Sequence, residues 1–126
     1  MTLLKASLIG QVFWVLSASA YNLLSLRAIG RGELGFAGDA ATTQSAMIAV
    51  VIFGAVTLLG IFGRKTLYKI MVPIVAVALF VGGVMKHVHL GPADYASQQC
   101  WIAAIAINCF GVAAYLVGAF TAFRKH

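Results

Sequence analysis

The sequence predicts an all-α membrane protein, a bundle of four antiparallel transmembrane helices with both termini in the cytoplasm. Of its 126 residues, 62% are hydrophobic and only 10% are charged, whereas a soluble domain has about 25% charged residues. The mean hydropathy is +0.97. The charges are also grouped, and they leave uncharged runs that match the roughly 20 apolar residues needed to cross a bilayer core.

The predicted spans cover about residues 5–27, 40–63, 66–86 and 96–123. The third uncharged run is the shortest, and it reaches full length only if the Lys69 ammonium extends back to the interface. The four spans leave too little chain for a soluble domain. Residues 1–126 are therefore expected to form a single integral membrane domain.

The first span also resembles a secretory signal peptide, because Lys5 precedes an apolar run that reaches an A-x-A site at residues 18–20. Apolar residues continue past that site to Leu26, which is the length of a span and not of a signal core. We therefore expect the first span to stay uncleaved.

The distribution of basic residues predicts the orientation in the membrane. Six of the nine Lys and Arg residues lie on the side of the two termini and the second connection, and the positive-inside rule makes that side cytoplasmic. These six are Lys5, Arg64, Lys65, Lys69, Arg124 and Lys125. The expected location is the cytoplasmic (inner) membrane of a bacterium, with the lipid bilayer as the main partner.

Local composition predicts further features of the connections and the span ends. The first connection, 27–39, is glycine-rich and is expected to be a flexible loop. Pro73 is expected to disturb the third span. Several aromatic residues fall near predicted span ends, as in an interfacial belt: Tyr21, Tyr95 and Trp101 at the outer surface, and Tyr68 and Phe123 at the inner surface.

Polar and small residues form a stripe along one side of the first span. Ser7, Gln11, Trp14, Ala18, Asn22 and Ser25 fall within about 80° of arc on a helix. A similar stripe on the fourth span carries Asn108 and Tyr115 among small residues. Polar side chains avoid lipid, so the stripes face either other helices, as hydrogen-bonding contacts, or a hydrophilic path. We favour contacts between helices.

The outer connections hold a candidate metal site at His87, His89 and Asp94, because imidazoles and carboxylates are ligands for zinc or copper. On a helix the two histidines would point about 200° apart and could not share an ion. On an extended segment they would point the same way. The alternative interpretation is that both are interfacial histidines.

The function classes that remain are few. The sequence carries no catalytic, cofactor or nucleic-acid motif, and no Asp, Glu or Arg lies inside a span, which argues against ion-coupled transport. Cys100 and Cys109 lie in one helix and are too far apart to pair. We expect a non-enzymatic protein that works through helix packing, as a homo-oligomer or as a subunit of a larger membrane complex. The alternative is a small transporter or channel whose path follows the first-span stripe.

Overall fold

The computed structural model describes residues 1–124, and over these residues the chain is helical with no β-strand. Five α-helices and one π-helical segment, Phe80–Met85, occupy this part of the chain. The α-helices are α1 (Leu3–Gly30), α2 (Ala40–Ile61), α3 (Lys65–Leu79), α4 (Lys86–Leu90) and α5 (Gln98–Phe123). The π segment joins α3 to α4, so Lys65–Leu90 is one continuous span.

All four of these spans are long and apolar enough to cross a membrane, which confirms the predicted number of spans and the all-helical class. Two helix ends lie furthest from the predicted span bounds. The first span continues to Gly30, and the third continues past residue 86 to Leu90. Charge marks where a chain leaves lipid, but a helix ends where the backbone turns. Here Gly91, with φ of 72°, ends the third span.

Short polar side chains begin three of the helices. Thr2, Asp39 and Ser97 accept hydrogen bonds from backbone N–H groups three residues further on, at 3.2, 2.8 and 3.1 Å. These bonds satisfy N–H groups that the first helical turn leaves free. The hydrogen bond from the Thr42 backbone also holds the pKa of the Asp39 carboxyl below its usual range.

The helices form a four-sided bundle in which α1 and α3 each pack against both α2 and α5. Along α1, hydrogen-bonding partners on α5 come in reverse order. Ser7 bonds Ala114, Trp14 bonds Asn108, and the Tyr21 hydroxyl bonds the Cys100 carbonyl. We call the end of the bundle that holds Ser7 and Ala114 the termini end, and the end that holds Tyr21 and Cys100 the loop end.

The side chains at the termini end include a predicted interfacial lysine. The Lys69 ammonium lies 4.9 Å from the centre of the Phe123 ring, a cation–π distance. Lys125, which belongs to the predicted cytoplasmic group of basic residues, lies outside the described residues.

The first connection was predicted to be a flexible loop, but the structure packs it onto the bundle. The Ala37 N–H donates to Ser25 Oγ at 3.0 Å, and the Phe36 carbonyl lies 3.0 Å from the Tyr21 hydroxyl, whose single proton it shares with the Cys100 carbonyl. The Ala96 N–H donates to the Gly35 carbonyl at 3.0 Å, which ties the first connection to the third. Polar groups at the end of α1 therefore fix a segment whose composition alone suggests mobility.

The irregular part of the third span is not at Pro73. Helix α3 runs through Pro73, and the π-helical turns come later, at Phe80–Met85, where Gly82 and Gly83 are adjacent. Glycine lowers the cost of departing from α-helical geometry. Such π-helical turns are common at functional sites.

Close approach of α5 to the core depends on Gly111. A Cβ atom at this position would lie 2.7 Å from Trp14 Nε1 and 2.8 Å from Leu79 Cδ2, and both of these side chains are buried in the core cluster. At Gly54 on α2, a Cβ would meet Val15 at 3.5 Å, an ordinary contact distance.

We therefore predict opposite effects for the same substitution at these two glycines. Gly111→Ala should lower the free energy of unfolding by about 1–3 kcal/mol through overpacking. Gly54→Ala should leave it unchanged or raise it, because glycine costs a helix about 1 kcal/mol relative to alanine. Thermal unfolding in mild detergent measures both, and equal melting temperatures for the two variants would contradict the packing at Gly111.

Candidate functional site

The predicted stripe on α1 faces the interior of the bundle, and all of its residues are buried. They are Ser7, Gln11, Trp14, Ala18, Asn22 and Ser25. The stripe separates into two parts with different surroundings. Towards the termini end its polar groups bond to other helices. Beyond Trp14, Ala18 and Asn22 line a cavity, and Ser25 Oγ lies 3.0 Å from Thr43 Oγ1 on α2.

Gln11 is the centre of a hydrogen-bonded cluster that joins all four spans, and its side chain is fully buried. The amide nitrogen donates to Ser7 Oγ at 2.9 Å and to the Tyr68 hydroxyl on α3 at 2.8 Å. The amide oxygen accepts from Thr57 Oγ1 on α2 at 2.8 Å. The Thr57 and Tyr115 hydroxyls lie 2.9 Å apart, which brings in α5. We call these five residues the Gln11 network.

The outer members of the Gln11 network bond to backbone carbonyls. Ser7 Oγ donates to the Ala114 carbonyl at 2.7 Å, and the Tyr115 hydroxyl lies 3.1 Å from the Phe53 carbonyl. Every heteroatom of the Gln11 side chain has a partner. Because each such bond in a membrane contributes about 0.6 to 1.7 kcal/mol, the network stabilises the packing of the four helices at this level.

The middle of the bundle holds a second polar contact, between Trp14 and Asn108. The indole N–H donates to Asn108 Oδ1 at 3.1 Å, and Asn108 Nδ2 donates to the Gly83 carbonyl at 2.9 Å. Gly83 belongs to the π segment, and a Cβ there would lie 2.9 Å from Asn108 Nδ2. Asn108 thus links α1 to the third span only because residue 83 is glycine.

Between this contact and the loop end lies a cavity of about 180 Å³, which we call the chamber. All four spans contribute to its lining. Trp14 and Asn22 come from α1, Ala49 from α2, Gly82 from the third span and Asn108 from α5. Most of the lining is apolar, and Lys86 and His87 also border it.

In the part of the chain that the structure describes, Asn22 differs from the other buried polar side chains because one of its polar atoms has no hydrogen-bond partner. Its side chain is 6% exposed, and its amide nitrogen donates to the Ala18 carbonyl at 2.7 Å. Its amide oxygen is the one buried side-chain oxygen or nitrogen without a hydrogen-bond partner among residues 1–124. A buried acceptor of this kind carries a desolvation cost of about 1–3 kcal/mol.

At the loop end, aromatic and histidine side chains bond to one another. One ring nitrogen of the buried His87 bonds the Tyr95 hydroxyl, and Trp101 Nε1 donates to the His87 carbonyl at 2.7 Å. Burial, together with the negative charges of Asp39 and Asp94, raises the pKa of Tyr95 to about 12. Tyr95 therefore remains a neutral hydrogen-bonding group at physiological pH.

The structure does not bring the three predicted metal ligands together. His87 and His89 both lie in α4, where helical geometry points their side chains about 200° apart. Within residues 1–124 no three His, Cys, Asp or Glu residues form a group that could hold a metal ion. His87 takes part instead in the contact with Tyr95.

Sequence reasoning missed two members of the Gln11 network. The position of Tyr68 near a predicted span end predicts an interfacial residue, but Tyr68 is 3% exposed and bonds Gln11. Thr57 was not singled out at all. Tyr68 begins a buried series at helical spacing that marks the inner face of α3: Tyr68, Val72, Val75, Ala76 and Leu79. That periodicity was the available signal.

Comparisons with models of protein families, with curated proteins and with solved structures give no match to this chain. The groups that meet in the Gln11 network and in the Trp14–Asn108 contact are amides, hydroxyls and an indole. Such neutral groups can hold helices together or bind a neutral polar ligand.

We predict that Gln11→Leu destabilises the bundle. The change removes three hydrogen bonds and leaves the Thr57 and Tyr68 hydroxyls without this partner, so unfolding free energy should fall by about 1–3 kcal/mol. Gln44→Leu is the matched control, because Gln44 is exposed on α2 and should tolerate the same change. If both variants unfold like the wild type in a denaturant titration, the Gln11 network does not stabilise the fold.

Proposed function

We propose that the chain is a non-enzymatic, multi-pass protein of a bacterial cytoplasmic membrane, with four antiparallel spans and both termini in the cytoplasm. The reverse order of the contacts between α1 and α5 supports the antiparallel arrangement. The excess of Lys and Arg beside the termini and the second connection supports the orientation.

The proposed role is that of a helix-packing component, either in a homo-oligomer or as a small subunit of a larger membrane complex. The Gln11 network is the observation that supports it. Because the network uses its polar groups to fix the four spans to one another, it favours a rigid structural element whose apolar outer surface is free to contact lipid or neighbouring proteins.

Transport is the second candidate, and the chamber favours it. A path along the α1 stripe would have to pass from the chamber to the termini end. There the buried side chains of Gln11, Thr57 and Tyr115 occupy the centre of the bundle and bond to one another. A transporter would need to break this network during each cycle, whereas a packing component would keep it intact.

The orientation has a direct test. Fusions of a reporter that is active only in the cytoplasm should give signal when attached at either end of the chain. The same reporter inserted in the first connection, for example after Gly32, should be silent. Signal from the inserted reporter, or silence from the fusion at His126, would contradict the orientation and the uncleaved first span.

The proposed assembly predicts the mass of the extracted particle. Protein extracted from its native membrane in mild detergent should form a particle of fixed stoichiometry, with a protein mass well above the 13.3 kDa of one chain. The Gln11→Leu variant should assemble equally while unfolding more easily, because its partners lie within the chain. Native mass spectrometry that finds only monomer at every protein concentration would rule out the packing role and leave the transport candidate.

A further inference from the structure

An open groove lies on the outer surface of the bundle, where α3 packs against α5. Pro73 lines it from α3, and the rest of its lining comes from α5: Leu116, Ala119, Phe120, Phe123 and Arg124. Leu116 and Phe120 are more than half exposed, whereas Ala119 is partly buried against the core. The groove is therefore a depression at a small residue between larger side chains.

The groove runs along the helices, from the termini end towards the middle of the bundle. Phe123 and Arg124 form its mouth at the termini end, and Leu116 lies seven residues back along α5. At 1.5 Å per residue this separation is about 10 Å. The lining is apolar except at Arg124. A groove of this length and composition fits a segment of a lipid acyl chain that lies parallel to the helices.

Two positive charges lie at the mouth of the groove. The Lys69 ammonium is 4.9 Å from the centre of the Phe123 ring, and the guanidinium carbon of Arg124 is 5.9 Å from the centre of the Phe120 ring. Both rings line the groove, and both distances are in the range of cation–π contacts. These contacts keep one lysine and one arginine beside the opening.

The chain supplies no acidic side chain at this end of the bundle. Its three acidic residues, Glu33, Asp39 and Asp94, belong to the connections at the loop end, and the one ion pair among residues 1–124 joins Arg31 to Glu33. A second copy inserted in the same orientation would also place its acidic residues at the loop end. It could cover the groove but could not neutralise the charges at the mouth.

An anionic phospholipid matches both parts of the groove, because its phosphate lies at the membrane surface and its acyl chains extend inwards. We propose that the groove binds such a lipid, with one acyl chain against Leu116 and Ala119 and the phosphate between Lys69 and Arg124. Basic sites between transmembrane helices are known to bind anionic head groups.

This inference goes beyond the packing role and does not depend on it. One chain supplies the whole groove from α3 and α5, so the lipid site needs no second copy. It is also independent of the side of the membrane that the termini end faces, because either leaflet presents its phosphates at the surface.

Two lipids with identical chains test the charge. Dioleoyl phosphatidylglycerol is anionic and dioleoyl phosphatidylcholine has no net charge, and native mass spectrometry of the full chain in mild detergent measures the binding of each. The wild type should bind one phosphatidylglycerol per chain, about 20-fold more tightly than phosphatidylcholine. The factor follows from about fivefold for each Lys or Arg close to the head group.

Charge variants locate the head group. Lys69→Gln and Arg124→Gln should each weaken phosphatidylglycerol binding about fivefold and leave phosphatidylcholine binding unchanged. Lys5→Gln is the matched control, because Lys5 is an exposed lysine at the same end on α1, a helix that does not line the groove. It should bind both lipids like the wild type.

Groove variants locate the acyl chain. Ala119→Leu should fill the depression and weaken the binding of both lipids about tenfold. Ala113→Leu is its matched control, because Ala113 is exposed on α5 outside the groove, and it should bind like the wild type. If Ala119→Leu does not give the wild-type circular dichroism spectrum, Ala119→Val replaces it with a smaller addition at the same position.

Four results would overturn the proposal. Equal affinity of the wild type for the two lipids would show an apolar surface without selection for charge. An equal loss of binding in Lys5→Gln would show general attraction to a positive end of the bundle. Undiminished binding by Ala119→Leu would place the lipid elsewhere. Displacement of phosphatidylglycerol by inorganic phosphate would show a site for the anion alone. None of these results concerns the number of chains in the particle, so they are distinguishable from failure of the packing role.

Discussion

The rest of the structure depends on one constraint, that lipid offers no hydrogen bonds. The backbone meets it by forming continuous helices, and the Gln11 side chain meets it by bonding to three other helical side chains. These bonds fix more than Gln11 itself. A glutamine amide accepts and donates in defined directions, so the positions of Thr57 on α2 and Tyr68 on α3 follow from it. One amide therefore sets the relative placement of three spans.

The same constraint gives opposite results at the two ends of the bundle because the facing side chains differ in size. At the termini end, Tyr68 and Tyr115 are large enough to reach the bundle centre and polar enough to bond there. Towards the loop end, many of the facing positions on α2 and the third span are small, with Ala49 and Gly82 as examples. Among residues 1–124 no donor forms a hydrogen bond with the buried Asn22 Oδ1. The same stripe on α1 thus forms the hydrogen-bonded Gln11 network at one level of the bundle and lines the chamber at another.

Much of the fold could be predicted from sequence, whereas much of the site could not. Hydropathy gives the spans because burial in lipid depends on composition, and helical periodicity identifies the buried face of α1. Neither hydropathy nor periodicity identifies the side chain on a neighbouring helix that a buried residue contacts. Tyr68 is close in sequence to Lys69, so it resembles an interfacial residue, and only the packing of α3 against α2 and α5 shows it inside the bundle. The π segment was not predicted from the sequence for a similar reason. Pro73 is the stronger local signal of a helix irregularity, but the helix departs from α geometry at Gly82 and Gly83.

Asn22 is the place where local consistency fails, and such places in natural proteins tend to be functional. A leucine there would bury no polar group, whereas the desolvated amide oxygen of Asn22 has no hydrogen-bond partner among residues 1–124. Asn108 lines the same chamber, but both its amide oxygen and its amide nitrogen form hydrogen bonds. Asn108 therefore joins the π segment to α1, whereas the buried amide oxygen of Asn22 has no hydrogen-bond partner among residues 1–124. The same amide group thus stabilises the bundle where donors and acceptors lie opposite it, and carries a desolvation cost where its oxygen is buried without a donor.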